Sequence, residues 1–218
     1  MQRLLSILIF NMIISSVFAQ TSDKNTNKSV NDSCSTKFLY EISYGGGFNQ
    51  IETSDDGINT IIKHTIGIKR KLKKLNTQAP LYLEAGISAQ YYNGAYTIEY
   101  TDYAYSVYIY SLSVPLNIVY EIKTKNKIKF ELYGGVYGRI NVWGEIEDNR
   151  GNEFNLFNNN KITNVVYSEC NRMQFGAQFG GRMIIKRFTI SYDFGYDFTE
   201  LYEGARMLPI TISAGWRF

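Results

Sequence analysis

The sequence predicts an all-β chain: an eight-stranded antiparallel up-and-down transmembrane β-barrel. Three observations predict it. Apolar and polar residues alternate with period two in eight separate segments. The connections between those segments alternate between short and long. An export-type segment opens the chain. Successive side chains of a strand point to opposite faces, so a two-residue period makes a two-sided strand. A membrane barrel needs that pattern in nearly every strand.

Residues 1–19 read as a cleavable signal peptide. Arg3 supplies the positive start, Leu4 to Phe18 is mostly apolar, and Ala19 precedes the expected cleavage before Gln20. Its apolar stretch of about 15 residues falls short of the roughly 20 that a spanning helix needs. Residues 20–36 (QTSDKNTNKSVNDSCST) are polar with a single Val, too poor in apolar surface for a core, and read as a flexible leader. Residues 37–218 are then the barrel domain. The formal net charge is +3, and removing Arg3 lowers it by one. That balance gives no reason to expect a nucleic-acid partner.

The eight strands follow in order. In the first, Phe38, Tyr40, Ile42, Tyr44 and Phe48 share a face against Glu41, Ser43, Gly45 and Gly47. The second sets Ile62, His64, Ile66 and Ile68 against Lys63, Thr65, Gly67 and Lys69. The third sets Leu81, Leu83, Ala85, Ile87, Ala89 and Tyr91 against Tyr82, Glu84, Gly86, Ser88 and Gln90. The fourth runs from Tyr108 to Ile122 with every second residue apolar or aromatic. The fifth sets Ile128, Phe130, Leu132, Val136, Ile140 and Val142 against Glu131, Tyr133, Tyr137, Arg139 and Asn141. The sixth sets Met173, Phe175, Ala177, Phe179 and Met183 against Arg172, Gln174, Gln178 and Arg182. The seventh sets Phe188, Ile190, Tyr192, Phe194, Tyr196 and Phe198 against Thr189, Ser191, Asp193 and Asp197. The eighth ends with Ile210, Ile212, Ala214, Trp216 and Phe218 on one face and Arg217 on the other. Strands of about 9 to 11 residues suffice to cross a bilayer.

Short connections fall near residues 73–80, 123–127 and 186–187; longer ones near 49–59, 93–105, 145–171 and 199–206. Short periplasmic turns and longer external loops are the asymmetry of a bacterial outer-membrane barrel. A soluble sandwich also explains alternation. The barrel explains in addition the long apolar faces with Tyr near their ends, where interfacial girdles belong. The expected location is the bacterial outer membrane.

Ser111 to Tyr120 (SLSVPLNIVY) and Phe130 to Tyr137 (FELYGGVY) carry a resemblance. So do Met173 to Gly181 (MQFGAQFGG) and the closing Ala214 to Phe218 (AGWRF). The chain resembles the outer-membrane β-barrel domain family common in Bacteroidetes-type bacteria, which includes PorT-like proteins. The resemblance implies the barrel fold, and for PorT-like members a link to a protein secretion machine.

An eight-stranded barrel is just wide enough to be filled by its own side chains. Glu41, Glu84, Glu131, Asp193 and Asp197 are expected inside, with Lys63, Lys69, Arg139, Arg172, Arg182 and Arg217. Unpaired buried charges are costly, so these are expected to pair into a plug. A narrow ion conduit is the competing reading.

No catalytic residue, cofactor site or metal site is expected. The chain has one histidine, His64, on the lipid-facing parity with no Ser or acid beside it; a lipid-modifying enzyme that uses this lipid-facing His is the competing reading. The two cysteines, Cys34 and Cys170, fall at opposite ends of the barrel. The separation of roughly 25 Å exceeds what a disulfide bridges, about 7 Å between Cα atoms. A leader folded into the lumen would be needed to join them.

Trp143, Phe154 and Phe157 in the third external loop, with Tyr100 and Tyr103 in the second, are the candidate partner-binding residues, since aromatics among polar loop residues mark recognition surfaces. Trp216 and Phe218 are the candidate signal for the barrel-insertion machinery. The expected partners are outer-membrane lipid, that machinery, and an extracellular or secretion-system protein.

Overall fold

The computed structural model describes residues 40–52, 58–75, 79–97, 104–124, 128–148, 150–157, 170–201 and 204–218. The expected signal peptide, the leader and Cys34 lie outside them. Among the described residues nine strands are formed: β1 (Tyr40–Glu52), β2 (Ile58–Lys74), β3 (Leu81–Thr97), β4 (Ala104–Lys123), β5 (Ile128–Asp148), β6 (Glu153–Asn155), β7 (Met173–Ile185), β8 (Phe188–Asp197) and β9 (Arg206–Arg217). Eight of them close into an antiparallel barrel, in the order β4-β3-β2-β1-β9-β8-β7-β5, with β5 returning to β4. The three-residue β6 pairs only with β5, Glu145 to Glu147 lying opposite Asn155 to Glu153.

The first and last strands seal the barrel. β1 and β9 pair from Glu41↔Arg217 to Glu52↔Arg206. The backbones of Tyr40 and Phe218 exchange both hydrogen bonds, at 3.3 and 3.1 Å, and their rings stack with centroids 5.9 Å apart.

The apolar faces point outward, which decides between barrel and sandwich. Val114 is 56% exposed, Ile118 52% and Ile212 64%. On the opposite face Ser111, Ser113, Asn117 and Glu121 of β4 are buried. A sandwich buries its apolar faces against each other; this chain turns them outward and packs polar residues inside, as a membrane barrel does. Tyr110 and Tyr120 lie ten residues apart on β4. At about 3.4 Å per residue and a tilt near 40°, that spans about 25 Å of membrane.

The strands are longer at the long-loop end than the alternation predicts. β4 begins at Ala104 and β5 continues to Asp148, so Glu145 to Asp148 are strand rather than loop. A β-bulge explains the miss: Tyr110 pairs with Trp143 while Ser111 pairs with Asn141, leaving Val142 as the extra residue. The extra residue shifts parity by one. Trp143 therefore faces outward, like Val142 below it.

Candidate functional site

The lumen holds two charged layers and an apolar cap. The deeper layer centres on Arg182 of β7. Its Nη1 donates to Glu84 Oε2 at 2.9 Å and Glu131 Oε2 at 2.8 Å, and its Nη2 to Glu84 Oε1 at 3.1 Å. Its Nε lies 3.3 Å from Glu41 Oε1. Arg217 joins the same acids, donating from Nε to Glu41 Oε2 at 2.7 Å and from Nη2 to Glu131 Oε2 at 2.5 Å. Lys71 adds 2.6 Å to Glu131 and 3.1 Å to Glu121. Lys71 and Glu121 are absent from the lumen set expected from sequence. Parity places both inside: Lys71 is the next inward position after Lys69 on the second strand, and Glu121 lies between Tyr120 and Ile122 on the fourth.

The second layer centres on Arg139 of β5. It pairs with Asp197 and donates to Gln174 Oε1 at 2.9 Å and Tyr92 Oη at 3.0 Å. Two tyrosines of β5 repeat one device. Tyr133 donates to Asp193 Oδ1 at 2.5 Å and Tyr137 donates to Asp197. Both reach β8 by crossing glycines of β7. A Cβ on Gly176 would lie 2.5 Å from Tyr137 Cζ, and one on Gly180 would lie 2.6 Å from Tyr133 Oη. Only glycine leaves room there. Lys63, Gln90, Gln178, Asp193 and Thr211 line a cavity of about 30 Å³ between the layers, which has room for an ordered water.

Above Arg139 the lumen turns apolar. Ile51, Ile61, Tyr92, Ile109, Phe157, Cys170, Leu201, Ala205 and Met207 pack as one buried cluster. Met207 marks the boundary, with its Sδ 3.2 Å from Arg139 Nη2. Phe157 is only 4% exposed. It is seated against Gly144, where a Cβ would come within 2.5 Å of its ring. Burial pushes the Cys170 thiol up to about 11.

These placements correct three expectations. Phe157 is not a solvent-exposed recognition residue: the β5–β6 hairpin folds it into the barrel mouth. Trp143 lies on the outer surface, its ring 5.4 Å from Tyr110, because of the bulge below it. Arg172 is not in the lumen. It precedes the first paired residue of β7, is exposed, and lies 5.0 Å over the Phe157 ring. Phe154 stands opposite Ile146 in the backbone pairing, and Tyr100 and Tyr103 lie outside the described residues.

The outer surface carries an aromatic row. Tyr44, His64, Tyr91, Tyr110 and Trp143 follow one another across β1 to β5, with centroids 6.5, 6.3, 4.7 and 5.4 Å apart. His64 has a partner that sequence did not reveal: the Tyr44 hydroxyl, 3.1 Å from Nδ1. The register Gly46↔His64 brings them together diagonally. Among the described residues, no group of three or more His, Cys, Asp or Glu is placed to hold a metal ion.

Apolar face out, charges in, and an aromatic row at one height describe a membrane barrel, and the sequence carries the same signature. The family model of the outer membrane protein beta-barrel domain matches residues 18–203. The chain belongs to this family. As an outer-membrane barrel domain it shares its fold with Neisserial surface protein A, at a TM-score of 0.52 and 10% identity over 82% of this chain and 97% of that one. The attachment invasion locus protein Ail of Yersinia pestis aligns at a TM-score of 0.45 and 11% identity, over 82% and 97%. The outer membrane enzyme PagL aligns at 0.44 and 13%, over 79% and 97%. No curated protein sequence matches the chain. The protein is thus an outer-membrane β-barrel of eight strands, located in the bacterial outer membrane.

Proposed function

We propose that this outer-membrane barrel neither conducts nor catalyses, and acts as a structural or interaction protein through its external connections. The observation that carries this reading is the filled lumen. Arg139, Arg182 and Arg217 are each buried and held by carboxylates, and the apolar cap lies over them. A continuous water path would need both layers to open. The non-enzymatic part is supported by His64, the one histidine of the chain. It lies on the lipid-facing row against Tyr44, and a phenol is no partner for activating a hydrolytic nucleophile.

With Trp143 and Phe157 occupied in girdle and cap, recognition falls to the connections β3–β4 (98–103) and β6–β7 (156–172), which contain Tyr100, Tyr103 and the Asn158 to Asn160 run. An accessory role in protein secretion, which the PorT-like resemblance implies, gives one partner class. Trp216 and Phe218, on the lipid-facing side of β9, form the aromatic end proposed to engage the barrel-insertion machinery.

Photo-crosslinking amino acids at positions 100, 103 and 160 on intact cells test this reading. Adducts from these positions, and none from Asn141 in the lumen, are expected. Silence at all three external positions would remove the interaction role, and a secretion component among the adducts would select that partner class. Planar-bilayer recording is expected to show no discrete conductance.

A further inference from the structure

The exposed charged side chains at the short-turn end are basic. Among the described residues, Arg70, Lys73 and Lys74 at the end of β2 and Lys186 and Arg187 in the β7–β8 turn are exposed. The acids of this end are Glu41, Glu84, Glu121 and Glu131. All four are buried in the lumen, where Lys71, Arg182 and Arg217 hold them. Inward-facing acids are neutralised inside, so the outward-facing field is positive.

The local structure adapts this rim to a membrane surface. The β2–β3 register jumps from Lys71↔Glu84 to Lys73↔Leu83, making Leu72 the extra residue of a bulge. Lys71 keeps the inward parity of Lys69, the bulge turns Lys73 outward opposite Leu83, and Leu72 and Leu75 stay exposed among the lysines. Arg70 lies 5.0 Å over the Tyr40 ring, which stacks on Phe218. Aromatics at this level mark the lipid–water boundary, and long basic side chains beside them lay their stems on apolar surface and hold their charges at headgroup height.

The β7–β8 turn adds two of these cations. Lys186 has φ of +58°, a conformation that glycine or asparagine adopts with less strain. The two-residue hairpin turn between Ile185 and Phe188 requires that conformation, and with Lys186 and Arg187 in it the turn presents two adjacent cations at the rim.

We infer that this rim binds anionic phospholipid headgroups in the leaflet that faces the short turns, which is the periplasmic leaflet of an outer-membrane barrel. Basic clusters near an anionic surface gain up to about fivefold in affinity per cation, and the effect weakens with salt.

The test reconstitutes the full chain in vesicles of mixed phosphatidylethanolamine and phosphatidylglycerol. Native mass spectrometry then counts the lipids retained after transfer to mild detergent. Phosphatidylglycerol is expected to be retained in preference. Combining Arg70→Gln, Lys73→Gln, Lys74→Gln, Lys186→Asn and Arg187→Gln should abolish the preference, at up to about fivefold per cation. If that variant fails to assemble, Lys186→Asn with Arg187→Gln alters only one turn and should still lower the ratio. Equal retention of both lipids by the unaltered protein would overturn the proposal, as would an unchanged preference in the assembled variants. So would an equal loss on neutralising Arg150 and Arg172 at the other end.

Discussion

Tyr137 on β5 donates its hydroxyl to the carboxylate of Asp197 on β8, two strands away across Gly176. The same carboxylate holds Arg139. One acid thus ties a neutral donor and a cation of β5 to β8. Removing the hydroxyl by Tyr137→Phe leaves a buried acceptor short of one donor and should cost about 1–3 kcal/mol. Gly176→Ala should cost at least as much, because the new Cβ would displace the Tyr137 ring. Urea unfolding in lipid vesicles measures both. An unchanged midpoint for Gly176→Ala would show that the ring does not need the gap.

Arg182→Met should be among the most damaging single changes. It strands Glu84 in the lumen, while Glu131 keeps Arg217 and Lys71, and breaking a buried pair from one side costs about 3–5 kcal/mol. Adding Glu84→Gln removes one stranded charge and should return part of the loss. Heat modifiability on a semi-native gel reports assembly, and the two-site variant should migrate more like the parent protein than Arg182→Met does.

The apolar cap should open when its anchor is removed. Phe157→Ala deletes a buried ring, a change that costs about 3–5 kcal/mol in a well-packed core. The outer connections should then be cut faster by trypsin at Arg150 and Arg172, while the membrane-spanning strands stay protected. Gly144→Val should give the same cleavage pattern by pushing the ring out. Equal cleavage rates in all three proteins would place Phe157 outside the closure.

Cys170 should make stability fall with rising pH over one window. Below about pH 9, the thiol's ordinary value, folded and unfolded chains both keep the proton, so it adds no pH dependence. Between there and about 11, the unfolded chain ionises while the buried thiol stays protonated. Stability should then fall by about 3 kcal/mol and level off above that window. On a Cys34→Ser background, alkylation near neutral pH should be slow until the cap is opened by Phe157→Ala. Fast labelling of the unaltered cap would contradict its burial.

Alternation made the outer faces of β4, β5 and β8 legible in the sequence, because lipid outside and packed polar groups inside force a strict two-residue period. It also brought Glu84, Glu131, Arg139 and Arg182 into one interior. The partners within that interior were not legible. Glu84 and Arg182 lie 98 positions apart and meet only once the sheet has closed. Trp143 and Phe157 were misplaced because a bulge at Val142 and the hairpin beyond it continue the strand where the pattern reads as loop, and Arg172 because the paired part of β7 begins one residue later, at Met173. The Tyr44–His64 contact depends on a diagonal register that no single strand encodes.

Arg182 faces Glu41 of β1, Glu84 of β3 and Glu131 of β5 from its own place on β7. Four strands thus converge on one guanidinium. A partly inserted sheet, or one that skipped a strand, would expose several of these charges to hydrocarbon, where no water can solvate them. The bilayer itself then acts as an inspector of assembly: only a complete ring of strands in the right register can hide this set of charges.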